Sequence, residues 1–92
     1  MLLDKEYLGL DKLVYRKLDS CELYVGERGG EVILVFLYRS RNASFFKVIL
    51  GHESNWDCYE VLLQPKGLYG FFRDERELIE KLRSKISRLV PT

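Results

Sequence analysis

The hydrophobic pattern changes period along the chain. Leu3, Tyr7, Leu10, Val14 and Leu18 recur every three or four residues, which predicts a helix over 4–18 with Asp4 as its N-cap. Gly9 weakens that helix by about 1 kcal/mol relative to alanine. From Cys21 onward the period is two. Residues 21–26 and 31–40 read as strands around Glu27-Arg28-Gly29-Gly30, where glycine supplies positive φ. Residues 32–38 are apolar on both faces, as in a central strand. Arg41-Asn42-Ala43-Ser44 turns the chain into a strand over 45–51, and 51–55 is a polar loop. Residues 56–63 read as the next strand, and Pro65-Lys66-Gly67 suits a tight hairpin into 68–72.

Asp74 then caps a helix with Glu77 three positions on, the pattern of a capping box. Leu78, Ile79, Leu82, Ile86 and Leu89 form its apolar stripe, and Pro91 ends it. The predicted architecture is α+β, a single domain over 1–92. It is a five-stranded antiparallel β-meander packed by a C-terminal helix, with a short N-terminal helix in front.

A two-residue turn between Arg41 and Ser44 sets Arg39 opposite Phe46, Tyr38 opposite Lys47 and Leu37 opposite Val48. One face then collects Ile33, Val35, Leu37, Val48 and Leu50, which suit the stripe of the C-terminal helix. The other collects Phe36, Tyr38, Phe45, Lys47 and Ile49. A single helical layer leaves that second face uncovered. Three fates are open to it: bases stack on its rings, a second copy of the chain covers it, or the N-terminal helix does.

Charge sharpens this picture only locally. Lys and Arg total 15 against 14 Asp and Glu, so the net charge of +1 selects no partner. Residues 32–52, however, hold Arg39, Arg41 and Lys47 with no acid, while 53–60 hold Glu53, Asp57 and Glu60 with no base. Asp4, Lys5 and Glu6 interrupt the only apolar start, and no apolar run approaches the ~20 residues that span a bilayer. The expectation is a cytoplasmic chain with no membrane partner. Nine Glu and eight Arg against two Asn and one Gln lean toward an archaeal or viral hyperthermophile source.

Catalytic chemistry is thin. His52 is the sole histidine, and no Ser-His-Asp arrangement marks a nucleophile. Cys21 and Cys58 form no C-x-x-C pair, so no metal and no cofactor is expected; the two thiols are inert or bonded to each other.

The order of elements resembles the single-stranded nucleic-acid-binding domains of the Whirly and PUR type and the archaeal Thermo-DBP proteins. The residues that carry the resemblance are 31–39 and the strand-to-helix passage 70–78. It implies DNA or RNA held on the sheet by a homodimer.

The expected function is therefore non-enzymatic binding of single-stranded DNA or RNA. Phe36, Tyr38 and Phe45 would stack, and Arg39, Arg41, Lys47 and Lys66 would hold phosphates. The alternative is a small protein-interaction module, an inhibitor or assembly factor, using Glu53, Trp56 and Asp57 as its contact.

Overall fold

The computed structural model describes residues 3–51 and 57–91. Its elements in chain order are α1 (Lys5–Leu8), β1 (Lys12–Lys17), β2 (Glu22–Arg28), β3 (Glu31–Arg39), β4 (Ser44–Leu50), α2 (Cys58–Leu63), β5 (Leu68–Phe72) and α3 (Glu75–Leu89). The five strands pair in sequence order, each antiparallel to the next. The predicted class, strand count and C-terminal helix all appear, but two segments exchange roles.

The helix expected over 4–18 stops at Leu8. Asp4 caps it, accepting from the Glu6 N–H, and Gly9 ends it at φ 69° in the left-handed region. Asp11 then tethers the chain to the sheet: its N–H donates to the Glu27 carbonyl and its carboxylate accepts from the Gly29 N–H. Beyond that point six residues pair with β2, from Lys12 opposite Glu27 to Lys17 opposite Glu22. The apparent stripe is no stripe, because Tyr7 and Val14 are exposed while Leu8 is buried. Val14 and Tyr15 suit a pleated edge better than a helix interior, and pairing with β2 decides the outcome.

The strand expected over 56–63 is instead helix α2 where the structure describes it. Asp57 is the N-cap and accepts from the Glu60 N–H at 2.7 Å. Cys58 and Val61 are buried and Tyr59, Glu60 and Leu63 exposed, a helical spacing. Pro65-Lys66-Gly67 therefore joins a helix to a strand and makes no hairpin. Gly67 sits at φ +104° with Val48 and Ile49 so close that a Cβ would strike them.

Between β2 and β3 the glycines take the expected positive φ, but the turn is tighter than Glu27–Gly30: β2 runs on to Arg28, which pairs with Glu31, so only Gly29 and Gly30 turn the chain. Between β3 and β4 the register lies two residues from the expected one. Arg39 faces Ser44, Tyr38 faces Phe45 and Phe36 faces Lys47. The four-residue loop 40–43 is closed by the Ser40 N–H donating to the Ala43 carbonyl and the Ala43 N–H donating to the Ser40 hydroxyl. A shift of two keeps every side chain on its expected face.

The sheet is covered on both sides. On one, Ile33, Val35, Leu37, Phe46 and Val48 pack with Leu78, Leu82 and Ile86 of α3 and with Leu3, Leu8 and Leu10. On the other, Leu23, Leu34, Phe36, Tyr38 and Ile49 pack with Cys58 and Val61 of α2. A disulfide joins Cys21 to Cys58 and ties α2 to the start of β2.

Gly70 lies directly opposite Phe46, and a Cβ there would come within 2.4 Å of the Phe46 ring. Gly70→Ala is expected to displace that fully buried ring and cost roughly 1–3 kcal/mol. Urea unfolding measures this; an unchanged midpoint would show that the ring is not held flat on β5.

Candidate functional site

The face expected to lie open is roofed by α2. Phe36 and Tyr38 are buried beneath it, and Lys47 is fully enclosed. These three assignments as ligand-contact residues are corrected by burial: in the oxidised fold no base can reach the rings and no phosphate the ammonium.

Their interactions show what they do instead. Tyr38 donates its hydroxyl to the Cys58 carbonyl at 2.8 Å. Burial, then the neighbouring Tyr69 and Asp57, pushes its pKa up to about 12, so the phenol stays protonated as a donor. The Lys47 Nζ donates to the carbonyls of Val61, at 2.7 Å, and Gln64, and lies 4.8 Å from the centre of the Tyr69 ring. A sheet lysine thus closes the C-terminal end of α2, satisfying carbonyls that the helix leaves without partners.

Arg39 lies on the α3 side of the sheet, because alternation places it with Ile33, Val35 and Leu37. Its Nε bonds Glu22, and its guanidinium stands 5.8 Å from the Phe72 ring centre. It is therefore not brought together with Tyr38 or Phe45. Arg41 is exposed in the 40–43 loop, and Lys66 is exposed just before β5. Asp57 is spent on capping α2. Glu53, Trp56 and His52 lie outside the described residues.

Of the expected stacking residues, only Phe45 leads to the surface. Its ring stacks on Tyr38 at 4.8 Å and meets Phe71 at 5.8 Å, so three rings cross β3, β4 and β5 from core to rim. Phe71 is 63% exposed. Tyr69, on the same face of β5, is 44% exposed and is held by its hydroxyl donating to the Leu62 carbonyl at 3.1 Å.

Cations flank this pair. Lys66 precedes β5 and Arg73 follows it. Phe71 and Arg73 line one wall of a shallow groove of about 320 Å³, and Ser40, Arg41, Asn42 and Ser44 line the other. Arg41 and Lys66 form no ion pair among the described residues. Arg73 is exposed and reaches the Glu77 carboxylate at 3.2 Å, which holds that carboxyl below its ordinary pKa.

Sequence reasoning missed Tyr69, Phe71 and Arg73. Their signal was present: two aromatics two residues apart on a terminal strand, followed by an arginine. An open central face directs attention to Phe36, Tyr38 and Phe45, although three of the five residues of β5 are aromatic.

A second exposed pair lies on α2. Tyr59 is 70% and Leu63 67% exposed, one turn apart on the outer side. No group of three or more His, Cys, Asp or Glu among the described residues is placed to hold a metal ion. Among the described residues no helix is long and apolar enough to cross a membrane. No family model, curated protein or solved structure matches this chain.

Proposed function

We propose that this chain is a non-enzymatic module that binds single-stranded nucleic acid along strand β5, at the rim of the sheet. The observation that carries the reading is the sequence of groups along one edge strand: Lys66, then the exposed rings of Tyr69 and Phe71, then Arg73, with Arg41 across the groove. Two residues on one face of a strand stand about 6.6 Å apart, roughly two base-pair rises of B-form DNA. Bases seated on both rings must be parted from each other, which an extended single strand allows and a duplex resists.

Arg41, Lys66 and Arg73 supply up to three phosphate contacts, so the logarithm of affinity should fall with that of salt at a slope of about −2. Affinity is expected in roughly the micromolar range and indifferent to sequence, since stacking is tolerant of base identity. Fluorescence anisotropy of a labelled twenty-mer tests this. Phe71→Ala should weaken binding about tenfold, the worth of one stacked base. Arg41→Ala with Lys66→Ala should flatten the salt slope by about 1.4. Affinity unmoved by either change would remove the site.

The pair Tyr59 and Leu63 favours a second reading, a protein partner docked on α2. Apolar groups exposed on a short helix fit a partner's pocket, and the acidic Glu60 between them suits a nucleic-acid backbone poorly. Tyr59→Ala with Leu63→Ala leaves oligonucleotide affinity intact under the first reading.

A further inference from the structure

We propose that α2 is a disulfide-bolted cover, and that reducing the Cys21–Cys58 bond uncovers a second aromatic and cationic surface on the sheet beneath it. The proposal is regulation of the same binding function, and its binding arm rests on that reading. What lies under α2 has the composition of a ligand surface: Phe36, Tyr38 and the ammonium of Lys47, continuous through Phe45 with the exposed Phe71. Among the described residues Lys47 has no carboxylate as partner; it is held by carbonyls of α2 and of Gln64 just beyond it, and by the Tyr69 ring. Removing α2 therefore frees a cation.

The fold is divided in a way that lets α2 leave alone. The core on the α3 side contains no residue of α2, and the two cores lie on opposite faces of the sheet. A six-residue helix does not hold its own shape in water, so α2 depends on what fastens it. Among the described residues the fastenings are the disulfide, the buried Val61 and partly buried Leu62, the Tyr38 bond to Cys58, and the bonds of Lys47 and Tyr69 to carbonyls at its C-terminal end. Only the disulfide is covalent.

Both cysteines are buried, but the bond lies beside a groove. A groove of about 440 Å³, lined by Lys17, Leu18, Asp19, Ser20, Asp57 and Tyr59, includes Cys58 in its wall. A small dithiol in that groove reaches the bond when the cover loosens locally. One of its thiolates attacks a cysteine sulfur, forming a mixed disulfide and releasing the other cysteine. Its second thiol then attacks the reductant's own sulfur in that mixed disulfide and expels the remaining cysteine, leaving Cys21 and Cys58 as thiols and the reductant as a cyclic disulfide. Two electrons and two protons pass to the protein.

The test labels lysine amines with an acylating reagent, before and after treatment with a dithiol, and reads Lys47 by peptide mass spectrometry. Amide exchange in α3 is followed in the same samples. The expected result is a Lys47 labelling rate that rises at least about tenfold on reduction while α3 stays protected. The Cys21→Ser/Cys58→Ser variant should behave as the reduced protein without any reductant. Lys47 protected in both states would overturn the proposal. So would loss of α3 protection together with Lys47 exposure, because the bond would then staple the whole fold.

Anisotropy separates the two readings. A reduced protein that binds the twenty-mer about tenfold more tightly supports both, the gain being one further stacked base. A Lys47 that opens in a protein with no affinity for oligonucleotide in either state keeps the cover and rejects the nucleic-acid reading.

Discussion

Lys47→Ala is expected to lower the unfolding free energy by roughly 4 kcal/mol. Two losses combine. The four-methylene stem runs through packed surroundings with no exposure at all, so its removal leaves a void. The carbonyls of Val61 and Gln64 also lose their donor, and a buried acceptor left unmade costs about 1–3 kcal/mol. Relief of the desolvated ammonium offsets part of this.

Lys47→Met separates the terms, because it refills most of the volume but donates nothing. It should cost roughly 1–3 kcal/mol. Urea unfolding of both variants gives the two numbers. A methionine variant as stable as the parent would show that relief of the buried charge makes up for the lost donor at the end of α2.

Leu82→Ala is expected to cost roughly 2–5 kcal/mol, the range for a fully buried leucine whose surroundings relax only in part. Leu82 is in the middle of α3, wholly enclosed in the cluster that also holds Ile33, Val35 and Phe46. Arg83, next to it on the exposed side, provides the control: Arg83→Ala should change stability by no more than about 0.5 kcal/mol. Thermal unfolding followed by circular dichroism measures both. Equal melting temperatures for the two variants would mean that the stripe of α3 is not the main core contact.

The elements legible in the sequence were those in which local and tertiary preferences agree. The cap Asp74, the stripe Leu78–Leu82–Ile86 and the terminal Pro91 all indicate α3, and the structure has it. Gly29 and Gly30 place the β2–β3 turn without help from the rest of the fold. Residues 4–18 imitate a helix because Leu3, Leu10 and Leu18 satisfy a helical spacing by coincidence, while β1 is an edge strand exposed at every position but Leu13 and so has no alternation to read.

Residues 57–63 carried a usable sign. Asp57 and Glu60 repeat the Asp-x-x-Glu spacing that marks the start of α3, and the Asp57 carboxylate caps α2 in the same way. The two misreadings cancelled in the strand count, since β1 takes the place of the strand expected over 56–63. They did not cancel at the site. Alternation correctly placed Phe36, Tyr38, Phe45 and Lys47 on one face, but it carries no information about what roofs that face. Once α2 is recognised, the candidate surface moves from the centre of the sheet to β5.

That displacement is the central claim, and photo-crosslinking tests it most directly. A thymine-rich single-stranded twenty-mer is irradiated with the oxidised protein, and the attached peptides are mapped. The account predicts adducts at Phe71 and Tyr69 and none at Phe36 or Tyr38. Adducts at Phe36 or Tyr38 in protein whose Cys21–Cys58 bond is intact, or no adduct and no binding even at low salt, would contradict it.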